Sequence, residues 1–158
     1  MDDTFHASAK GVLVEDDRIL LIQYQEPDEV GHHYNLPGGR IRRNEHAPDA
    51  CRRKMLEEAG ADVDVHELLF VYEYTGAHHN YAGGDKHSIS LVFRCSLRPG
   101  SRPSMATCTR PDTIQTDVCW VPLDELPRVT LYPSCQAKII QAVRDPASIG
   151  DRYWGDVF

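Results

Sequence analysis

Apolar residues gather in two runs, 8–14 and 18–24, on either side of the acidic triplet Glu15-Asp16-Asp17, a pattern that predicts a hairpin. A polar segment from Gln25 to Gly31 leads to a short strand around His33–Leu36, which Pro37-Gly38-Gly39 breaks. Pro48 suits the first turn of a helix and Gly60 its end. Between them Ala47, Ala50, Cys51, Met55 and Ala59 recur with the spacing of one buried helical face. Leu68–Thr75 and Ser88–Leu97, rich in β-branched, aromatic and aliphatic residues, predict two strands around a Gly- and His-rich loop, 76–87. A second loop, 98–117, precedes a strand at Val118–Val121 and a short helical turn at 122–127. A last helix is expected at Ser134–Arg144, with Ile139, Ile140 and Val143 inward. Strands, helix, strands, helix is the order of an α/β chain, a mixed sheet covered by helices on both faces.

At 158 residues, with no internal repeat, low-complexity tract or long linker, the chain reads as a single domain, 1–158. A hydrophobic content of 41% is near the globular norm. The net charge of -7 argues against DNA, RNA or an anionic membrane as a partner. An acidic protein that handles phosphate must therefore bring metal ions or local arginines to it. Residues 1–10 begin with two acids and lack the apolar run of a signal peptide, and no stretch approaches membrane-spanning length. Five cysteines without a Cys-x-x-Cys pair suit a reducing compartment, so the expected location is the cytoplasm.

The chemistry concentrates between Gly39 and Ala61. A glycine turn is followed by the lone carboxylate of Glu45. Arg53, Lys54 and the pair Glu57-Glu58 come next, and Gly60 closes the helix. Glutamates one turn apart behind a rigid glycine turn can hold divalent cations against a phosphate chain. Lys54 lies three residues before Glu57 and four before Glu58, so all three share a face. An ammonium cannot ligate a cation, and it would repel one or pair with the glutamates itself.

This stretch resembles the Nudix box, Gly-x5-Glu-x7-Arg-Glu-U-x-Glu-Glu-x-Gly-U with U bulky and aliphatic, departing at Lys54 and mildly at Ala61. Asn35-Leu36-Pro37-Gly38-Gly39, Cys119 to Leu126 and Tyr153-Trp154-Gly155-Asp156 resemble segments flanking the box in that superfamily. The resemblance implies a Nudix-type α/β/α sandwich around a mixed central sheet. It implies a hydrolase that cleaves the pyrophosphate bond of a nucleotide or nucleoside diphosphate derivative with Mg2+ or Mn2+. Arg53, Glu57 and Glu58 would be catalytic, Glu57 and Glu58 also the metal ligands, and Gly38 and Gly39 would meet the substrate. The family's carboxylate role at position 54 does not carry over; a further possibility is an altered reaction on a phosphorylated small molecule in which Lys54 meets the substrate phosphate directly. An additional acid from the second loop, Asp112 or Asp117, is a candidate ligand, and a homodimer is one assembly the superfamily offers. The alternative is a catalytically impaired Nudix-fold protein that binds or senses a nucleotide. Drift after loss of activity would erode several box positions, whereas here the change is confined to Lys54 and Ala61, which favours retained use of the site.

His32-His33 and His78-His79 have no zinc-ligand spacing and read as polar loop residues that could line a substrate cleft. Arg98, Arg102 and Arg110 could meet phosphate, although scattered loop arginines usually only solvate a surface. Tyr74, Tyr81 and Trp120 could stack on a base, core packing being the preferred reading for Trp120.

Overall fold

The computed structural model describes residues 5–158; the acidic residues 1–4, part of the segment read as unlike a signal peptide, lie outside them. The hairpin forms as β1 (Phe5–Glu15) and β2 (Arg18–Tyr24), joined by Asp16 and Asp17, both at positive φ. Two short strands follow, β3 (His33–Asn35) and β4 (Gly38–Arg40), then helix α1 (Ala47–Ala59). The chain continues through β5 (Val63–Thr75), β6 (His87–Leu97), β7 (Gln115–Pro122), α2 (Gln136–Arg144) and β8 (Tyr153–Asp156).

The strands run β3-β2-β1-β6-β5-β8, with β4 beside β1 and β7 beside β2. The sheet is mixed: β1 with β6 and β5 with β8 are parallel, the other pairs antiparallel. Alternation along the strands feeds two cores. Ala9, Leu13, Leu20 and Ile22 pack with Ala50, Cys51, Met55 and Ala59 of α1. Val12, Ile19, Leu21 and Phe70 pack with Ile139 and Ala142 of α2 on the other face. The expected helix-covered sheet is thus present. On α2 the deepest residues are Ile139 and Ala142, while Ile140 and Val143 are half-buried at its margin.

Two elements were not anticipated. Gly38 and Gly39, read as a strand breaker, are themselves strand: Gly38 stands opposite Lys10 and Gly39 opposite Ala9. Glycine allows this because β4 lies against β1 with no room for a side chain at Gly38. The C-terminal Tyr153–Asp156 segment adds a parallel strand, fixed by Trp154 stacked on Phe70 at 3.5 Å between ring centres. Asp156 then accepts hydrogen bonds from His78 Nδ1 and His79 Nε2, each at 2.7 Å, tying the glycine-rich loop to the end of the chain.

A Cβ on Gly38, whose φ is +149°, would overlap the Ala9 carbonyl oxygen and the Lys10 backbone. Neither can move without parting β1 from β4. Gly38→Ala should therefore cost on the order of 3 kcal/mol and lower the melting temperature by roughly 6–12 °C. A calorimetric scan showing no shift would mean that β4 is free to move away from β1.

Candidate functional site

Helix α1 carries the site and is placed by its ends. Its C-terminus closes on Gly60 in the left-handed conformation (φ 62°), with Gly60 N–H donating to Leu56 O and Ala61 N–H to Met55 O. The loop before it folds around Glu45, whose carboxylate accepts the Arg42 N–H at 2.9 Å. That carboxylate also accepts Arg53 Nε at 2.7 Å and Nη2 at 2.9 Å, a two-pronged pair. Arg53 reaches back to the Arg40 carbonyl at 3.0 Å and sideways to Glu57 Oε2 at 3.2 Å. One guanidinium thus joins β4, the loop and the helix.

Lys54 lies along the next ridge. Its ammonium is 2.6 Å from Glu58 Oε1 and 3.3 Å from Glu57 Oε2, all three side chains largely buried. Its methylene tail lies over Gly39, where any Cβ would overlap it. Burial alone would raise the Glu57 pKa, but Lys54 and Arg53 outweigh it and hold the carboxyl below its ordinary value. Glu58 is the only charged residue among the buried residues described.

The second loop is tied to the end of α1 through the helix's last carbonyls. Arg110 N–H donates to Glu57 O at 2.9 Å, and Gln115 Nε2 donates to Glu58 O at 2.6 Å. These bonds bring Arg110 and Asp112 to a cavity of about 320 Å³ with Arg40, Arg42, Arg53, Lys54, Glu57 and Glu58. Asp117 is elsewhere, in β7 opposite Gln23, with its carboxylate on the Val118 N–H.

A larger cleft of about 720 Å³ shares Arg40 with this cavity. Its wall includes Tyr74, Tyr132 and Phe158, the last two stacked at 4.9 Å, with Lys10, Lys86 and Asn35 also lining it. Tyr74 is held by donating to Gly84 O and accepting from Gly83 N–H. Burial pushes the Lys10 ammonium below its usual pKa, Glu58 opposing.

Of the residues singled out from the sequence, Arg53, Lys54, Glu57, Glu58 and Asp112 converge, Gly39 supporting the Lys54 tail and Gly38 the strand beneath it. Tyr74 lines the large cleft; Tyr81 is exposed, and Trp120 is half-buried against the α1 core. Arg110 joins the site, while Arg98 pairs with Asp64. Arg40, Arg42 and Lys10 were missed. Lys10 carried one signal, a lone charge within the first strand run.

The chain matches the NUDIX domain family over residues 4–143. It is 31% identical over 120 residues to a MutT-like protein of Streptomyces ambofaciens, an alignment covering 75% of this chain and 65% of that protein. Its fold superposes on a MutT NUDIX hydrolase from Burkholderia pseudomallei with a TM-score of 0.65 and 26% identity, covering 88% and 98% of the two chains. It also superposes on an ADP-ribose pyrophosphatase from Streptococcus suis with a TM-score of 0.64 and 20% identity, covering 97% and 100%. No helix of the described residues is long and apolar enough to cross a membrane.

The Arg53 clamp makes a pH prediction. Its hydrogen bonds lower the Glu45 carboxyl from the usual 4.5 to about 2. A depressed carboxylate stabilises the fold above its unfolded value, and that contribution fades as pH falls from 4.5 through about 2. Screening at this partly open site leaves about 2 kcal/mol. Urea unfolding should show Glu45→Gln less stable than the parent at pH 7, the gap narrowing towards pH 2.5. A gap that stays constant between those two pH values would show that Glu45 titrates normally.

Proposed function

The chain belongs to the NUDIX domain family, and on that premise we propose that it is a pyrophosphohydrolase acting on a nucleotide or nucleoside diphosphate derivative. The observation that carries this reading is the pairing of an aromatic-walled cleft with a charged cavity through one shared residue, Arg40. A flat base or other ring suits Tyr74, Tyr132 and Phe158, and a diphosphate extending past Arg40 reaches Arg42, Lys54 and Arg110. A relative in the fold, the Streptococcus suis protein, is an ADP-ribose pyrophosphatase, which supports the same substrate class here. Arg53 fixes the loop and Glu57, so that the charges facing the phosphates are held before the substrate arrives.

Magnesium or manganese, the cation that the family resemblance implies, would meet Glu57 and Glu58 as ligands. Those carboxylates already hold Lys54, and Glu45 is committed to Arg53. Among the described residues no group of three or more His, Cys, Asp or Glu is arranged to hold an ion. The donor set as it stands fits an ammonium rather than a resident divalent ion, and the roles given above rest on the chain's own groups. The 2.6 Å pair of Lys54 and Glu58 also favours a second reading, a nucleotide-binding protein with impaired catalysis.

A panel of nucleoside di- and triphosphates and nucleotide sugars, assayed with magnesium and with manganese for release of phosphorylated products, separates the two. Slow turnover of at least one substrate is expected. Lys54→Glu should raise metal affinity at least tenfold in calorimetric titration, because it exchanges a repelling charge for a ligand, and should raise turnover. If neither form turns over any substrate, the binding reading replaces the enzymatic one. Efficient wild-type turnover unaffected by Lys54→Glu would show that this position does not limit the reaction.

A further inference from the structure

We propose that the Lys54 ammonium serves as the site's built-in cation, so that a diphosphate is bound here without a divalent metal. The proposal rests on the diphosphate reading above and adds how that anion is held. The small cavity presents five cationic side chains, Arg40, Arg42, Arg53, Lys54 and Arg110, to three carboxylates, Glu57, Glu58 and Asp112. Setting Arg53 aside against Glu45 still leaves four cations facing three acids. This surplus stands in a chain whose net charge is -7, so it is local. Arg40 and Arg110 form no ion pair among the described residues, and Arg42 is 3.7 Å from Glu57, a long contact for an exposed arginine. All three are free to turn to an anion.

The position of Lys54 gives the arrangement its logic. A divalent ion between Glu57 and Glu58 would neutralise them and offer its remaining sites to phosphate oxygens. The ammonium does the first part covalently attached: it lies 2.6 Å from one carboxylate and 3.3 Å from the other, on a tail laid over Gly39. Three N–H groups leave it a donor for a phosphate oxygen beyond the two carboxylates. Lys10, which lines the neighbouring cleft together with Arg40 and is also in no ion pair among the described residues, sets a further amine on that side.

The test is calorimetric titration of the intact chain with ADP and with inorganic pyrophosphate, first in EDTA and then in magnesium. Binding in EDTA is expected, changed less than about threefold by magnesium. Lys54→Gln should weaken EDTA binding about tenfold or more, the scale of one lost charge-assisted bond. It should recover affinity in magnesium, because Glu57 and Glu58 become free to take the ion. Arg110→Gln, a change on an exposed loop, should also weaken binding in EDTA and keeps the test open if Lys54→Gln does not fold. Tighter binding of ADP than of pyrophosphate would attribute the site to a nucleotide rather than to the free anion. Wild-type binding that appears only with magnesium, or EDTA binding indifferent to both substitutions, overturns the proposal and leaves the substrate reading standing. Binding of neither ligand under either condition overturns both.

Discussion

The guanidinium of Arg53 is the joint on which the site depends. Its Nη2 holds the Arg40 carbonyl of β4, its Nε and Nη2 hold Glu45 in the loop, and its Nη1 holds Glu57 on its own helix. A planar, permanently charged fork can satisfy three partners in fixed directions, which an ammonium at the same place could not. The glycine strand, the loop and the carboxylate face of α1 are therefore locked as a unit. Packing reinforces the lock from beneath, where Met55 and Cys51 press the helix onto Ala9, Leu13 and Phe93.

Within that frame Arg53 and Lys54 divide the acidic groups between them. Arg53 takes Glu45 fully and one oxygen of Glu57, and Lys54 takes Glu58 and shares that oxygen. Burying Glu58 without a partner would cost several kcal/mol, so its depth is intelligible only with a cation beside it. A carboxylate at position 54 would leave three acids adjoining and call for a metal to hold them together. Lysine at that position places an ammonium against these carboxylates, while the helix keeps its glycine C-cap and its buried face.

The elements with strong local signals were legible in the sequence. The hairpin at Asp16-Asp17, the helix between Pro48 and Gly60, and the face of Ala50, Cys51, Met55 and Ala59 follow from turn chemistry and period. Pro37-Gly38-Gly39 does end β3, but the glycines then start a strand of their own: the missing side chain at Gly38 permits β4 to lie on β1, and that at Gly39 makes room for the Lys54 tail. The start of β5 at Val63 and β8 at Tyr153 were hidden because their pairing is decided by distant partners, Leu97 and Val71. The box residues carried the carboxylate side of the site. Its cationic side showed only in Arg53, Lys54 and, as one of three loop arginines, Arg110; Arg40 and Arg42 were missed, because they acquire meaning only when the second loop bonds to the carbonyls of Glu57 and Glu58.

That loop also gathers positive charge at one place in an acidic protein. Charges beyond about 8 Å are screened at physiological salt, so the net charge of -7 acts weakly inside a walled cavity. What a ligand meets there is set by the few groups lining it. Arg40 lines both the cation-rich cavity and the aromatic cleft, and Lys10 lines that cleft with burial working against its charge. A desolvated ammonium gains most from an arriving anion, whereas the stacked Tyr132 and Phe158 gain from a flat ring. A purely anionic ligand would leave the aromatic wall unused, and a purely aromatic one would leave Lys10 and Arg40 without a partner. On the reading proposed above, a ligand with both parts would use the two cavities together.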